Sequence, residues 1–203
     1  MLGTPSRDRR AERHEATRAE ILEAAWELVR AEGLAALSLR DLARRVGMQA
    51  PSLYSYFDSK HGIYDAMFAQ GAQDFLERER AIETTGDPLR DLQAGSRIFV
   101  GFCTEDPVRY QLMFQRTIPG FEPSPESYAI SVEALQVVRD RLAEAGLTDP
   151  RDLDLFTAIG AGITAQQISN DPGGDRWTRL VDEAIEMFFE HVTQRAKKKG
   201  TRK

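Results

Sequence analysis

The chain contains one cysteine, Cys103, and three histidines among its 203 residues. A lone cysteine cannot close an internal disulfide, and so few soft ligands give no cluster at metal-binding spacing. Neither a disulfide scaffold nor a metal centre is expected, and no cofactor is implied. No apolar run approaches the roughly 20 residues that span a bilayer. The charged N-terminus lacks the apolar stretch of a signal peptide. These absences exclude a membrane-spanning or secreted chain and make the cytoplasm the expected compartment. Strand signals are just as scarce, because no segment alternates β-branched and aromatic residues with polar ones.

Hydrophobic residues make up 41% of the chain and charged residues 29%, enough to bury a core without covalent staples. The net charge of −5 is unevenly spread. Residues 1–62 hold 10 basic and 9 acidic side chains, residues 63–194 hold 11 and 23, and residues 195–203 hold six basic and none acidic. An acidic body thus carries a near-neutral head and a basic tail, and the two ends are the parts able to meet a polyanion. The plainer reading of the tail is a solubilising helix end.

Helical periodicity runs through the rest, and about nine helices make the expected class all-α. Residues 1–13, with Gly3, Pro5 and Ser6 and no apolar periodicity, read as a flexible arm. Helices are then expected over about 18–32, 39–46, 50–57, 59–83, 88–104, 107–116, 126–145, 151–169 and 176–197. Thr17, Ser38, Ser59, Asp87, Asp106, Asp149 and Asp175 stand at the starts, with Asp41 in the capping-box position after Ser38. Gly33, Gly47 and Gly146 mark stops. Residues 117–125 form the clearest loop. The expected domains are a helical head over 14–62, a helical body over 63–197 and a basic tail over 198–203.

The stretch from Leu42 to Tyr56 fits a helix-turn-helix position by position. Ala43 is small where two helices cross, Gly47 suits the turn, and Leu42, Val46, Met48, Leu53 and Tyr56 fall inward. The chain here resembles the TetR family of transcriptional regulators. The resemblance is carried by Ile21-Leu22-x-Ala24-Ala25, Glu32-Gly33, Leu37 to Ala43, Val46-Gly47, Pro51-Ser52-Leu53-Tyr54-x-Tyr56-Phe57 and Ser59-Lys60. It covers about residues 17–66, roughly a quarter of the chain, and the later helices match only in number and length. Gln49 stands where the family usually has Ser or Thr, and His61-Gly62 replaces the usual acid and its successor.

That resemblance implies a recognition helix over about 50–57, presenting Gln49, Ala50, Pro51, Ser52 and Ser55 to the major groove. Arg40 is the candidate for a bidentate guanine contact, against the alternative of a solvated surface arginine. Tyr54 and Tyr56 resemble a phosphate-binding pair, although Tyr56 also fits the core. Lys60, at a helix start, would share a phosphate with backbone N–H groups. Thr17 and Ser38 could do the same or serve as caps alone. The expected partner is a palindromic operator in double-stranded DNA.

By the same resemblance the body would bind a small effector and dimerise. Independently, Ala158, Gly162 and Ala165 form a small-residue run that permits close helix approach. Val181, Ile185 and Phe188 belong to an apolar stripe on the last helix, so the two helices could build a four-helix bundle with a second copy or serve an intrachain core. Phe99, Phe102, Cys103, Tyr110, Met113, Phe114, Phe121, Tyr128, Gln166 and Trp177 are the candidate lining of a hydrophobic or aromatic effector site, with ordinary core as the alternative for each. The expected function is a ligand-responsive homodimeric repressor. Its competitor is a helical interaction module that no longer binds DNA. Catalysis is not expected, because His14, His61 and His191 have no evident partners and Asp152 and Asp154 fall on different helix faces.

Overall fold

The computed structural model describes residues 9–200, with side chains as far as Arg195. The first eight residues of the expected arm, residues 201–203 and the side chains of the basic tail after Arg195 lie outside the described residues. Nine α-helices and two short 3₁₀ turns account for the regular structure, and no strand occurs among the described residues. The expected all-α class is the observed one.

The first helix, α1 (Arg9–Glu32), starts well before the expected position. Ala, Glu and Arg propagate a helix readily without an apolar face, so Arg9 to Arg13 are helical and not a flexible arm. Thr17 therefore sits inside α1 and caps nothing. Ile21, Leu22, Ala25, Trp26, Leu28 and Val29 form its buried face. After a 3₁₀ turn at Leu34–Ala36, Ser38 opens α2 (Leu39–Arg45), its Oγ accepting from the Asp41 N–H at 3.4 Å. Asp41 does not complete a capping box. Its carboxylate accepts instead from Arg44 Nη2 at 2.6 Å.

The exit from α2 is set by one glycine. Gly47 has φ +67°, and the Met48 N–H reaches back to the Ala43 carbonyl while the Gly47 N–H meets that of Arg44. This double bond pattern is the Schellman motif, which needs a left-handed residue at that place. The next helix, α3 (Ala50–Leu53), is shorter than expected, and Ser52 to Tyr56 continue as hydrogen-bonded turns. Gln49 precedes it without a capping bond.

Ser59 caps α4 (Lys60–Arg80) through the Gly62 N–H, and Asp87, Asp106, Ser124 and Asp149 cap α5 (Pro88–Glu105), α6 (Pro107–Phe114), α7 (Pro125–Glu144) and α8 (Pro150–Asn170). Each of these four has proline in its first turn, where the missing N–H has no partner to lose. Asp175 caps no helix: a 3₁₀ turn at Thr178–Leu180 leads into α9 (Val181–Gly200).

Three buried clusters hold the chain together. In the head, α1, α2, α3 and the first turns of α4 enclose Ile21, Leu28, Leu42, Leu53, Ile63, Tyr64 and Met67. Leu112 of α6 joins them, and Ile118 and Phe121 of the expected loop pack against the same cluster. A second cluster gathers α5, α7, α8 and α9, and a third lies between α4, α5, α6 and α7. The α9 stripe is consumed here: Val181, Ile185 and Phe188 are buried against their own chain. Their assignment to a dimer interface is therefore corrected. Helix periodicity shows that a stripe is covered, not by which chain.

Candidate nucleic-acid interface and body cavity

The head presents an exposed polar face around α3. Gln49, Pro51, Ser52, Tyr54 and Ser55 are exposed, Ala50 and Tyr56 half-buried, and Leu53 beneath them is buried. Tyr54 is 58% exposed, so its phenol is free to reach outward. Arg40, in the first turn of α2, is exposed and has no ion pair or hydrogen bond among the described residues. Lys60 is already engaged, donating to the Ala35 carbonyl at 3.2 Å with its ammonium 5.6 Å from the Tyr64 ring centre. Ser38 is spent on its cap, and Thr17 is half-buried on α1, between His14 and Arg18, which meet the Tyr56 and Phe57 rings.

Two residues of this region were not legible in the sequence as a pair. The His14 ring stacks on Tyr56 at 4.6 Å, and its Nε2 lies 3.2 Å from the Ser55 carbonyl. His14 thus does have partners; it ties α1 to the end of the turn that follows α3. Underneath, the Tyr64 hydroxyl donates to the Leu34 carbonyl, and burial pushes its phenol up to about 12.

The body contains a cavity of about 1140 Å³, bounded by α4, α5, α6, α7 and α8. Of the ten candidate lining residues, Phe99, Tyr110, Met113, Phe114, Phe121 and Tyr128 border it. Phe102 and Cys103 are fully buried in the neighbouring cluster, and burial pushes the Cys103 thiol up, which suits an inert core residue. Gln166 is exposed and accepts from the Asn170 amide. Trp177 lies in the turn before α9, where its backbone N–H donates to Gln167. These four are not brought to the cavity.

The polar features of the cavity escaped sequence reasoning. Glu79 and Arg141 meet at 2.7 Å, with side chains 1% and 11% exposed. Burial pushes the Glu79 carboxyl up, against the opposing pull of Arg141. The two are 62 residues apart, so no local spacing announces them. A further polar knot joins α4 to α7: Asp65 accepts from the Ser124 N–H at 2.6 Å and from the Ser124 and Ser127 hydroxyls at 3.0 and 2.9 Å.

Along α4, Phe68, Ala72, Phe75 and Glu79 recur at helical spacing on the cavity side. The same helix buries Ile63, Tyr64 and Met67 in the head. Phe121 borders the cavity while its ring lies 5.6 Å from Tyr64 and 5.9 Å from His61. Head and cavity therefore share walls.

Along α8, Ala158, Gly162 and Ala165 are exposed, together with Leu155 at 39%, and Ala158 also borders the cavity. Met187 of α9 is 65% exposed. No group of residues able to hold a metal ion occurs among the described residues, and no helix among them is long and apolar enough to cross a membrane.

Comparison with known proteins agrees with this geometry. The family model of bacterial regulatory proteins, tetR family, matches residues 21–67, the segment from the buried face of α1 into α4. The HTH-type transcriptional regulator Rv1816 of Mycobacterium tuberculosis is 26% identical over 163 residues, which is 79% of this chain and 63% of that protein. The chain thus spans somewhat under two thirds of that relative's length. The HTH-type transcriptional activator FasR of Mycolicibacterium smegmatis is 32% identical over 99 residues, covering 48% of this chain and 45% of FasR. Among solved structures, SCO4313 superposes with a TM-score of 0.75 at 23% identity over 91% of this chain and 98% of that one, a likeness of fold. These relatives are regulators and not enzymes. The match to the tetR family of bacterial regulatory proteins thus falls on the helix-turn-helix head of a chain with nine α-helices among its described residues.

Proposed function

We propose that this chain is a cytoplasmic, homodimeric transcriptional repressor that binds a palindromic operator and leaves it when an apolar effector fills the body cavity. The observation that carries this reading is the double role of α4, which buries one end in the head and lines the cavity with the other. A ligand seated against Phe75 and Glu79 cannot fill its site without pressing on the helix that aims the head. The effector acts by population shift, binding the DNA-incompetent arrangement more tightly.

On DNA, Gln49, Ala50, Pro51, Ser52 and Ser55 face base edges, and their small size leaves much of the readout to shape and water. Arg40 supplies the one long donor for a guanine. Tyr54 and Tyr56 contact phosphates, with His14 holding the Tyr56 ring. Lys60 reaches a phosphate once it leaves the Ala35 carbonyl. Ser38 and Thr17 contribute less, the first as a cap and the second from the side of α1. The dimer forms through the exposed strip Leu155, Ala158, Gly162 and Ala165 with Met187 alongside, and two-fold symmetry then sets two recognition segments on one duplex face.

The test is selection of bound fragments from the source genome by the purified chain, followed by titration of the best fragment at two salt concentrations. A palindrome bound by a dimer supports the reading. Arg40→Ala should relax preference at one base pair, at a cost of about 1–3 kcal/mol, whereas Lys60→Ala should weaken all sequences alike and lower the salt slope by about one. No enrichment over random DNA at low salt would favour a helical interaction module instead. Tighter operator binding in the presence of effector would make the chain an activator.

A further inference from the structure

The cavity is apolar almost throughout. Phe75, Phe99 and Phe114 meet edge to face at 5.4–6.1 Å, and Tyr110 and Met113 extend that wall. The buried charges of its lining are Glu79 of α4 and Arg141 of α7, which lie side by side. Arg141 Nη1 donates to the Glu79 carboxylate, and Nη2 donates to the Glu79 carbonyl at 3.3 Å. A guanidinium carries five N–H donors, and the remaining ones meet no acceptor among the described residues.

The fold makes room for this pair deliberately. A Cβ on Gly95 of α5 would stand 2.3 Å from Arg141 Nη1. Glycine inside a helix costs about 0.5–1 kcal/mol relative to alanine, so α5 gives up stability at the one position that seats the guanidinium. A buried ion pair is itself weak support for a fold, since apolar residues of similar size often serve as well. The placement makes sense as a polar anchor within an apolar cavity.

We infer that the cavity takes an uncharged apolar molecule bearing a hydroxyl or carbonyl oxygen, which docks on Arg141 beside Glu79. The inference rests on the effector reading above and names the class of effector. The charges decide against ions. Glu79 already neutralises Arg141, and the Asp91 carboxylate lies close enough to feel the same guanidinium. The other charged lining groups are Asp154 and the Arg116–Glu122 pair at 3.6 Å. A carboxylate brought to Arg141 adds a second anion to one cation, and an ammonium brought to Glu79 adds a second cation to one anion. Either leaves a desolvated charge uncompensated. A neutral oxygen accepts from a spare N–H and leaves the pair intact.

The experiment is calorimetric titration of the full chain, near neutral pH, with decanol, decanoate and decylamine, which share one apolar chain and differ in head charge. Decanol should bind about tenfold or more tighter than either ion, the range one hydrogen bond to a charged group supplies. Replacing the pair by apolar residues, Glu79→Leu with Arg141→Met, should shrink that preference to about threefold or less. Thermal unfolding of the double variant checks its fold, and the wild-type ranking stands without it. Equal or tighter binding of an ion, or binding of none of the three, overturns the inference, as does a folded double variant that keeps the full preference. Titration of operator DNA separates this from the effector reading. Release of DNA by decanoate would sink the inference and leave the reading, whereas decanol binding without release would do the reverse.

Discussion

The head and the body are both helical, yet they use their side chains differently. In the head every inward position is filled: Ile21, Ala25, Val29, Leu42, Ile63 and Met67 are completely or almost completely buried around a short turn. In the body the inward faces of α4, α5, α7 and α8 stop short of one another and leave about 1140 Å³ between them. Close packing leaves each head position few acceptable side chains, because one methylene too many or too few is felt. The family match over residues 21–67 falls on the closely packed part.

The contrast can be broken by paired truncations, and these should have the largest effects. Phe57, 5% exposed in the head, should lose about 3–5 kcal/mol on change to alanine, measured by urea unfolding. Phe114, 43% exposed at the cavity, should lose about 1 kcal/mol or less. Equal losses would mean that the body wall is as tightly packed as the head. A smaller effect tests the one crowded point of the body. Gly95→Ala should cost about 1–3 kcal/mol because its Cβ collides with the seated Arg141 guanidinium, and should cost less in the background of Glu79→Leu with Arg141→Met, where neither member of the pair remains.

The smallest effect sharpens the view of the head. Tyr64→Phe removes a buried hydrogen bond to Leu34 and should cost about 1 kcal/mol. The Tyr64 phenol titrates at about 12 in the fold against an ordinary 10.0, so the neutral form is favoured by folding. Its contribution is present below pH 10.0 and is lost as pH rises through about 12. Unfolding measured across that window should fall more steeply for the wild type than for Tyr64→Phe.

What the sequence disclosed follows the same division. Ser38, Gly47, Pro51 and Ser59 act within a few residues of themselves, through caps and a left-handed turn, whereas Asp41 and Asp175 do not fill the capping roles their positions suggest. The start of α1 differs from the sequence expectation because Arg9 to Arg13 favour helix by propensity while showing no apolar face. His14 and Tyr56 are brought together across 42 positions, and Glu79 and Arg141 across 62, so only the folded chain displays either pair. The stripe on α9 was visible as a stripe, but its cover, α5 and α8 of the same chain, was not. Small residues on α8 remained outside that core.

One feature of the fold bears on how the molecule comes apart. Leu112, Ile118 and Phe121 belong to segments far along the chain, yet they complete the packing of the head and border the cavity as well. A cut after residue 62 therefore severs the head from atoms that close its core, although it falls at a clean boundary in sequence. Head and body share these buried contacts and are expected to melt as one unit. A calorimetric scan should show a single endotherm whose van't Hoff and measured enthalpies agree, and a filled cavity should raise the temperature at which the DNA-facing half unfolds.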